Sequence, residues 1–159
     1  MSHACPSTPR CRLAVCVFGL LARYGGSSSS AASQDYDAWI TETIAFPSLQ
    51  QVLRGNGHCA PDVFVHTWET GARSVLIERL YKPVRGEYGA RESDGRTGMF
   101  LSLERVLALR RTEEAQRGIA YDWVLCTRFD AVWMAPLPLR ALNPALLYVA
   151  HWCVTTDRP

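Results

Sequence analysis

The sequence lacks the features that mark membrane-spanning and nucleic-acid-binding proteins. Its longest apolar run, from Leu13 to Ala22, is only about half as long as a membrane-spanning helix requires. Lys82 is the only lysine among the 17 basic residues, and the formal net charge is +2. A nucleic-acid-binding surface requires a block or stripe of basic residues, and the sequence has none. We therefore expect no nucleic-acid partner and no transmembrane segment in this chain.

The sequence also lacks the short motifs of several kinds of catalytic and metal site. None of the six cysteines forms a C-x-x-C pair, and the four histidines show no H-E-x-x-H spacing. The nucleophile motif G-x-S-x-G, the phosphate-binding loop G-x-x-x-x-G-K-[ST] and the dinucleotide motif G-x-G-x-x-G are all absent. These absences argue against a zinc site, a serine hydrolase, and an α/β enzyme such as a sulfotransferase.

We interpret the cysteines of the predicted core as free thiols. Cys16 and Cys126 each lie inside an apolar, strand-like run, where a free cysteine behaves as a small hydrophobic residue. A chain of 159 residues with 48% apolar residues can bury a sizeable core. Such a chain does not need a disulfide scaffold, so we expect none.

The length and composition fit one domain. Charged residues make up 20% of the chain, as in an average soluble globular domain. Residues 1–11 contain two prolines and no hydrophobic periodicity, which predicts a disordered tail. Residues 12–159 are then expected to form a single α/β domain.

The apolar run that begins at Leu13 has two interpretations. Arg10 and Arg12 precede it and small residues follow it, as in a signal peptide. Alternatively, Leu-Ala-Val-Cys-Val-Phe is typical of a buried parallel strand, and Arg23 closes the run. The location therefore stays open between the cytoplasm and the lumen of the ER or Golgi.

Apolar strand-like runs alternate with helical segments along the chain. Strands are predicted at 13–18, 62–67, 122–128 and 146–150. Helices are predicted at 35–45, where Trp39, Ile40, Ile44 and Ala45 share a face, at 47–53 after a break at Pro47, at 74–81 and at 98–117, with a surface loop over 84–97. This alternation predicts a three-layer, Rossmann-like α/β fold with a mostly parallel sheet. The sheet could be incomplete at the C-terminus, because the chain stops soon after the fourth strand.

The longest predicted helix has a broad apolar stripe. We expect Leu103, Val106 and Leu107 to pack on the sheet, with Arg110 and Arg111 facing outward.

Candidate binding residues follow the first two predicted strands, since open α/β sheets bind ligands beyond the carboxyl ends of their strands. Gly19 ends the first strand and lets the backbone approach a ligand, and Arg23 could pair with a phosphate. Alternatively, Gly19 only forms a turn. After the second strand, His66 could donate to a phosphate or hydroxyl and Trp68 could stack on a base. The alternative for Trp68 is packing under a neighbouring loop.

The third strand is followed by a charged pair. Arg128 and Asp130 are two residues apart, so strand alternation places them on one face. The arginine could neutralise a diphosphate, and the aspartate could hold a divalent cation or a sugar hydroxyl. The alternative is a structural Arg–Asp pair at the sheet edge.

Three segments together resemble a family. They are the first strand ending in Gly19, Pro-Asp-Val-Phe-Val-His-Thr-Trp at 61–68, and Tyr-Asp-Trp-Val-Leu-Cys-Thr-Arg-Phe-Asp at 121–130. Their order is similar to that in poorly characterised glycosyltransferase-like proteins of the capsular-polysaccharide and algal or plant type. The resemblance covers most of the chain, from Leu13 to about Val149.

The resemblance implies a GT-A type fold that transfers a sugar from a nucleotide-sugar donor to a glycan or protein acceptor. It implies donor contacts from Gly19, Arg23, Arg128 and Asp130, and a Mn²⁺ or Mg²⁺ ion at Asp130. The family's D-x-D motif has Arg128 in place of its first aspartate here, which leaves metal dependence open. The alternatives are a non-catalytic nucleotide-sugar-binding or interaction module and a truncated, inactive relative.

Overall fold

A single parallel sheet organises the protein. The structure is a computed structural model that describes residues 11–21, 31–89 and 95–148. Its strands are β1 (Cys11–Gly19), β2 (Cys59–Thr67), β3 (Arg85–Tyr88) and β4 (Trp123–Arg128). They lie in the order β3-β2-β1-β4, and every neighbouring pair is parallel. The chain is therefore an α/β protein whose sheet is compatible with a Rossmann-like fold.

The central position of β1 follows from its composition. All five residues from Leu13 to Val17 are buried, because β1 has a strand on each side and helices over both faces. A continuous apolar run is what such a doubly covered parallel strand requires. The strand interpretation of this run is confirmed.

The helices occupy both faces of the sheet. They are α1 (Ala31–Ile40), a π-helical turn (Thr41–Ala45), α2 (Phe46–Gly55), α3 (Ala72–Tyr81) and α4 (Gly95–Arg117), followed near the end by a 3₁₀ turn (Leu139–Ala141). On one face, α2 and α3 pack Leu49 and Ile77 against the strands. On the other, α4 packs Val106 against Phe64 and Cys16. None of the helices in these described ranges is long and apolar enough to cross a bilayer.

The predicted orientation of α4 is largely confirmed. Val106 is fully buried against the sheet, and Leu103 and Leu107 are half-buried beside it. Arg111 faces outward, whereas Arg110 is half-buried and pairs with Glu114 one turn later.

The prediction at Pro47 needs a correction. The chain does not break there, since α1 continues through the π-helical turn into α2, and Pro47 lies in the first turn of α2. Proline removes one helical hydrogen bond and its ring displaces the carbonyl of the preceding turn, and the wider π-helical turn lies directly before Pro47. Of the predicted apolar face, Ile40 and Ala45 are buried, whereas Trp39 and Ile44 are exposed.

Two strand predictions were wrong. The segment Arg85–Tyr88 was predicted to lie in a surface loop but forms β3, the edge strand beside β2. Residues 146–148 of the predicted fourth strand are irregular, and residues 149–150 lie outside the described residues. An edge strand needs neither a long apolar run nor strong alternation, because only one side of it is hydrogen-bonded.

The expectations for the cysteines are corrected in part. Cys16 is a buried free thiol as expected, but Cys126 is exposed. Cys11 and Cys59 form a disulfide. The parallel register of β1 and β2 sets these two residues directly opposite each other. Apart from Cys11, which begins β1, the predicted disordered tail lies outside the described residues.

Candidate functional site

The strand order indicates where a ligand crevice is expected in this sheet. From β1 the chain moves outward to β2 and β3, and it then returns to the other side of β1 to form β4. The order therefore reverses between β1 and β4. In open α/β sheets, the chain leaves the carboxyl ends of the two strands at such a reversal in opposite directions, and ligands bind in the crevice between these connections. Gly19 and Arg128 lie at these two ends.

Gly19 ends β1 in a conformation that favours glycine. Its φ is +103°, and a Cβ placed on it would meet no atom of the residues that the structure describes within 4 Å. Its N–H donates to Ser102 Oγ at 3.0 Å, and the N–H of Leu21 donates to Glu69 Oε1 at 3.1 Å. Both of these backbone amides therefore already donate hydrogen bonds within the protein. A ligand at this strand end could occupy the open space beside Gly19.

His66 lies beneath α4 and not in the crevice. It is fully buried, and its Nδ1 lies 2.6 Å from the Oγ of Ser102, which is also fully buried. Ser102 therefore connects the end of β1, through Gly19, to the end of β2, through His66. This arrangement fixes the two strand ends relative to each other. It leaves His66 enclosed, away from a ligand.

Trp68 is also enclosed. Its Nε1 donates to the carbonyl of Gly98 at 3.1 Å, and the guanidinium of Arg105 lies 5.0 Å from the centre of its ring. The His66 ring packs against it edge to face at 4.7 Å. Only 6% of Trp68 is exposed. Its position matches the packing alternative, with α4 in place of a loop, and does not suit a stacking surface for a base.

A buried ion-pair network supports the same edge of the sheet. Arg73 donates to Glu69 and to Asp37, with all three side chains largely buried. Glu69 follows β2, Arg73 lies on α3, and Asp37 lies on α1. Because Glu69 also accepts the N–H of Leu21, the network joins two helices to the residues that follow β1. The sequence analysis predicted neither this network nor the hydrogen bonds of Ser102. The signal in the sequence was that these polar residues occur among apolar ones.

Arg128 and Asp130 form the predicted pair. Arg128 Nε donates to Asp130 Oδ1 at 2.7 Å, and its second terminal nitrogen donates to Oδ2 at 2.6 Å. The bond to Asp130 raises the pKa of Arg128 above its ordinary value, so the guanidinium stays charged. The remaining nitrogen, Nη1, lies 3.4 Å from the Met99 sulfur, which is a weak acceptor. The side chain of Arg128 is 42% exposed, so solvent and ligands can reach it.

Phe129 holds this pair in place. Its side chain points to the opposite face of the sheet, where it is fully buried and packs edge to face on Tyr81 at 5.3 Å. Its burial on that face keeps the neighbouring side chains, Arg128 and Asp130, on the face of the proposed crevice. Burial, and to a smaller extent the charge of Asp130, raises the pKa of Tyr81, which stays neutral.

Asp130 does not suit a resident divalent cation. Both of its oxygens accept hydrogen bonds from Arg128, so a cation would have to displace the guanidinium. Hard cations such as Mg²⁺ also need several oxygen ligands. Within the described ranges, three potential ligands come together only at Cys11, His58 and Cys59. That group lies at the amino ends of β1 and β2, away from Asp130, and its two cysteines form a disulfide.

The structure thus brings some predicted site residues together and separates others. Phe18 pairs in register with His66 on one side and with Arg128 on the other, so both lie in one row across the sheet. Arg128 and Asp130 face outward at the crevice, whereas His66 and Trp68 are covered by α4. Arg23 lies outside the described residues.

The comparisons with known proteins add no relative. No family model matches the chain, and comparisons with curated proteins and with solved structures found no similar protein. The site is therefore interpreted from its own residues, in an α/β protein with an all-parallel sheet.

The role of Ser102 can be tested by substitution. Ser102→Ala removes the buried hydroxyl that bonds the Gly19 N–H and His66 Nδ1, and we expect it to lower the free energy of unfolding by about 1–3 kcal/mol. Thr112→Ala is the matched control, since that exposed hydroxyl bonds only its own helix, at the Ala108 carbonyl. Denaturant unfolding of both variants gives the comparison. Equal stability of the two would contradict the bridging role.

Proposed function

We propose that the crevice between the carboxyl ends of β1 and β4 binds a nucleotide-diphospho-sugar, and that the chain is a glycosyltransferase-like protein. The observation that carries the proposal is the fixed orientation and the positive charge of Arg128. Asp130 holds the guanidinium in one orientation through two hydrogen bonds. Its Nη1 meets only a thioether among the residues that the structure describes. An oriented, charged donor at a topological switch point suits a phosphate oxygen.

The other residues of the site act as support in this proposal. Gly19 leaves open space beside the crevice, which a diphosphate or ribose could occupy. His66 and Ser102 fix the end of β2 relative to Gly19. Trp68 contributes through packing and not through base stacking. Arg23 stays a candidate donor contact.

The proposed reaction is displacement at the anomeric carbon of the donor sugar. The acceptor hydroxyl, on a glycan or a protein, forms the new C–O bond while the bond to the nucleoside diphosphate breaks, and the hydroxyl proton passes to a phosphate oxygen of the departing diphosphate. Negative charge develops on the departing diphosphate. Arg128 would stabilise that charge. Electrostatic stabilisation of developing charge is usually the largest single contribution to catalysis.

A non-catalytic nucleotide-sugar-binding module is the second candidate, and one observation favours it. Among the residues that the structure describes, three acidic groups at this edge of the sheet are already paired: Asp130 with Arg128, Glu69 with Arg73, and Glu87 with Arg105. None of these three carboxylates is therefore poised as a general base. Release of free sugar or transfer to an acceptor, measured with a bound donor, separates the two candidates.

The binding proposal is tested by titration calorimetry with UDP-glucose, GDP-mannose and UDP. We expect Arg128→Ala to weaken binding of the preferred nucleotide by about 1.5–3 kcal/mol, the scale of a hydrogen bond to a charged group. This corresponds to about ten-fold to 150-fold. Arg111→Ala, on the exposed side of α4, is the charge-matched control and should leave the affinity unchanged.

A thermal melt of the same variants completes the test. Arg128 is a partly exposed residue, so its loss should change the melting temperature little. Unchanged affinity together with a large drop in melting temperature would show that the pair is structural. Replacing Mn²⁺ with EDTA should leave the affinity for the nucleotide unchanged, because both oxygens of Asp130 already accept hydrogen bonds from Arg128. A strict need for Mn²⁺ would contradict that part of the proposal.

A further inference from the structure

Two free cysteines lie opposite each other in the middle of the sheet. Cys16 on β1 and Cys126 on β4 are partners in the parallel register. Their thiols are neighbours, and each shifts the pKa of the other. Cys16 is fully buried and Cys126 is exposed. The thiol of Cys126 is thus accessible to reagents, and the thiol of Cys16 lies next to it in the interior.

The geometry of this sheet accommodates a disulfide between register partners. On the other side of β1, Cys11 and Cys59 are also partners in a parallel pair of strands, and they form a disulfide with their Cα atoms 4.2 Å apart. Cys16 and Cys126 stand in the same register relation. Bridging them therefore requires no rearrangement of the backbone pairing.

The surroundings give the two thiols different reactivity. The hydrogen bond from Cys16, together with the positive charge of Arg110 on α4, lowers the pKa of Cys126. The same hydrogen bond and burial raise the pKa of Cys16, and Glu114 on α4 adds to the effect. The exposed sulfur is therefore the more acidic of the two, and the buried one holds its proton more tightly. Attacking and resolving cysteines of redox-active pairs differ in this way.

A groove gives small molecules access to Cys126. It runs along the free edge of β4 and has a volume of about 530 Å³. Trp123, Leu125, Leu142 and Tyr148 line it beside Cys126. A groove of this size has room for one tripeptide unit of a glutathione disulfide beside Cys126.

We propose that Cys126 and Cys16 form a redox-active dithiol that exchanges with low-molecular-weight disulfides such as oxidised glutathione. The Cys126 thiolate attacks one sulfur of the glutathione disulfide, forms a mixed disulfide and releases a glutathione thiolate. Cys16 then attacks the Cys126 sulfur, and the second glutathione leaves with the proton from Cys16. The protein pair is oxidised to the Cys16–Cys126 disulfide, and one glutathione disulfide is reduced to one glutathione thiol and one glutathione thiolate, which takes up a proton from water.

The test uses the full chain with Cys5 and Cys153 replaced by serine, so that no other free thiol is present. The protein is incubated with oxidised glutathione, quenched with acid, alkylated and mapped by mass spectrometry. We expect a peptide that links Cys16 to Cys126, with little glutathione retained. In Cys16→Ala we expect glutathione to stay on Cys126. In Cys126→Ser we expect Cys16 to remain a free thiol, because it is buried.

A kinetic measurement distinguishes a redox pair from simple packing. Below neutral pH, iodoacetamide should alkylate Cys126 several-fold faster in the parent than in Cys16→Ala, because the hydrogen bond that favours the thiolate is lost. If the parent retains glutathione on Cys126 as stably as Cys16→Ala does, or if Cys126 does not react, the proposal is wrong. The parent and Cys126→Ser decide the outcome even if Cys16→Ala fails to fold.

Discussion

Replacing Phe129 by alanine is expected to lower the free energy of unfolding by about 3–5 kcal/mol. The side chain is fully buried, and it packs on Tyr81 within the larger of the two cores. Its loss removes apolar contact area and leaves a cavity that the surrounding strands and helices cannot fill. Denaturant unfolding, followed by circular dichroism, measures the change.

Phe100→Ala is the matched control, since that ring is 67% exposed on α4. We expect it to change stability by less than about 0.5 kcal/mol. Because Phe129 lies between Arg128 and Asp130, its loss should also weaken nucleotide binding under conditions in which the variant is folded. A stability equal to that of Phe100→Ala would show that Phe129 does not anchor the site.

Removing the disulfide, by Cys11→Ala together with Cys59→Ala, is expected to lower the free energy of unfolding by about 2–4 kcal/mol. The bridge closes a loop with a sequence separation of 48 residues. A closed loop restricts the unfolded chain more than the folded one, so the bridge favours folding. It also joins the first residues of β1 and β2.

The control for this prediction is the parent protein in a reducing agent. Reduction breaks the bridge without changing the side chains, so the parent and the variant should then approach the same stability. If the difference persists at full size after reduction, the effect comes from packing at Cys11 and Cys59, and the cross-link contributes little.

Much of the sheet could be predicted because β1, β2 and β4 contain apolar runs. The run of the inner strand β1 is buried between helices and requires such a sequence, whereas β4 lies at an edge of the sheet and is only partly buried. Residues Arg85–Tyr88 contain no such run, and β3 forms because its backbone pairs with β2 and because Glu87 pairs with Arg105. These contacts join distant parts of the sequence, and no local pattern reports them.

The candidate site shows the same division. Strand alternation was enough to place Arg128 beside Asp130, and the structure pairs them. The enclosure of His66 and Trp68 depends on Ser102 and Gly98, which lie on a helix more than 25 residues later. The Cys11–Cys59 bridge likewise depends on the register of two strands. The resemblance to glycosyltransferase-like proteins stays a prediction that binding and transfer assays must test.

The central claim is that a nucleotide sugar binds between the carboxyl ends of β1 and β4. The most direct measurement is a two-dimensional amide NMR titration of the full chain with the nucleotide sugar preferred in calorimetry. We predict saturable shifts at Gly19 and Leu20 and at Arg128 and Asp130, with little change at the start of β1. Shifts centred on the amino ends of the strands, or none at millimolar ligand, would contradict the account.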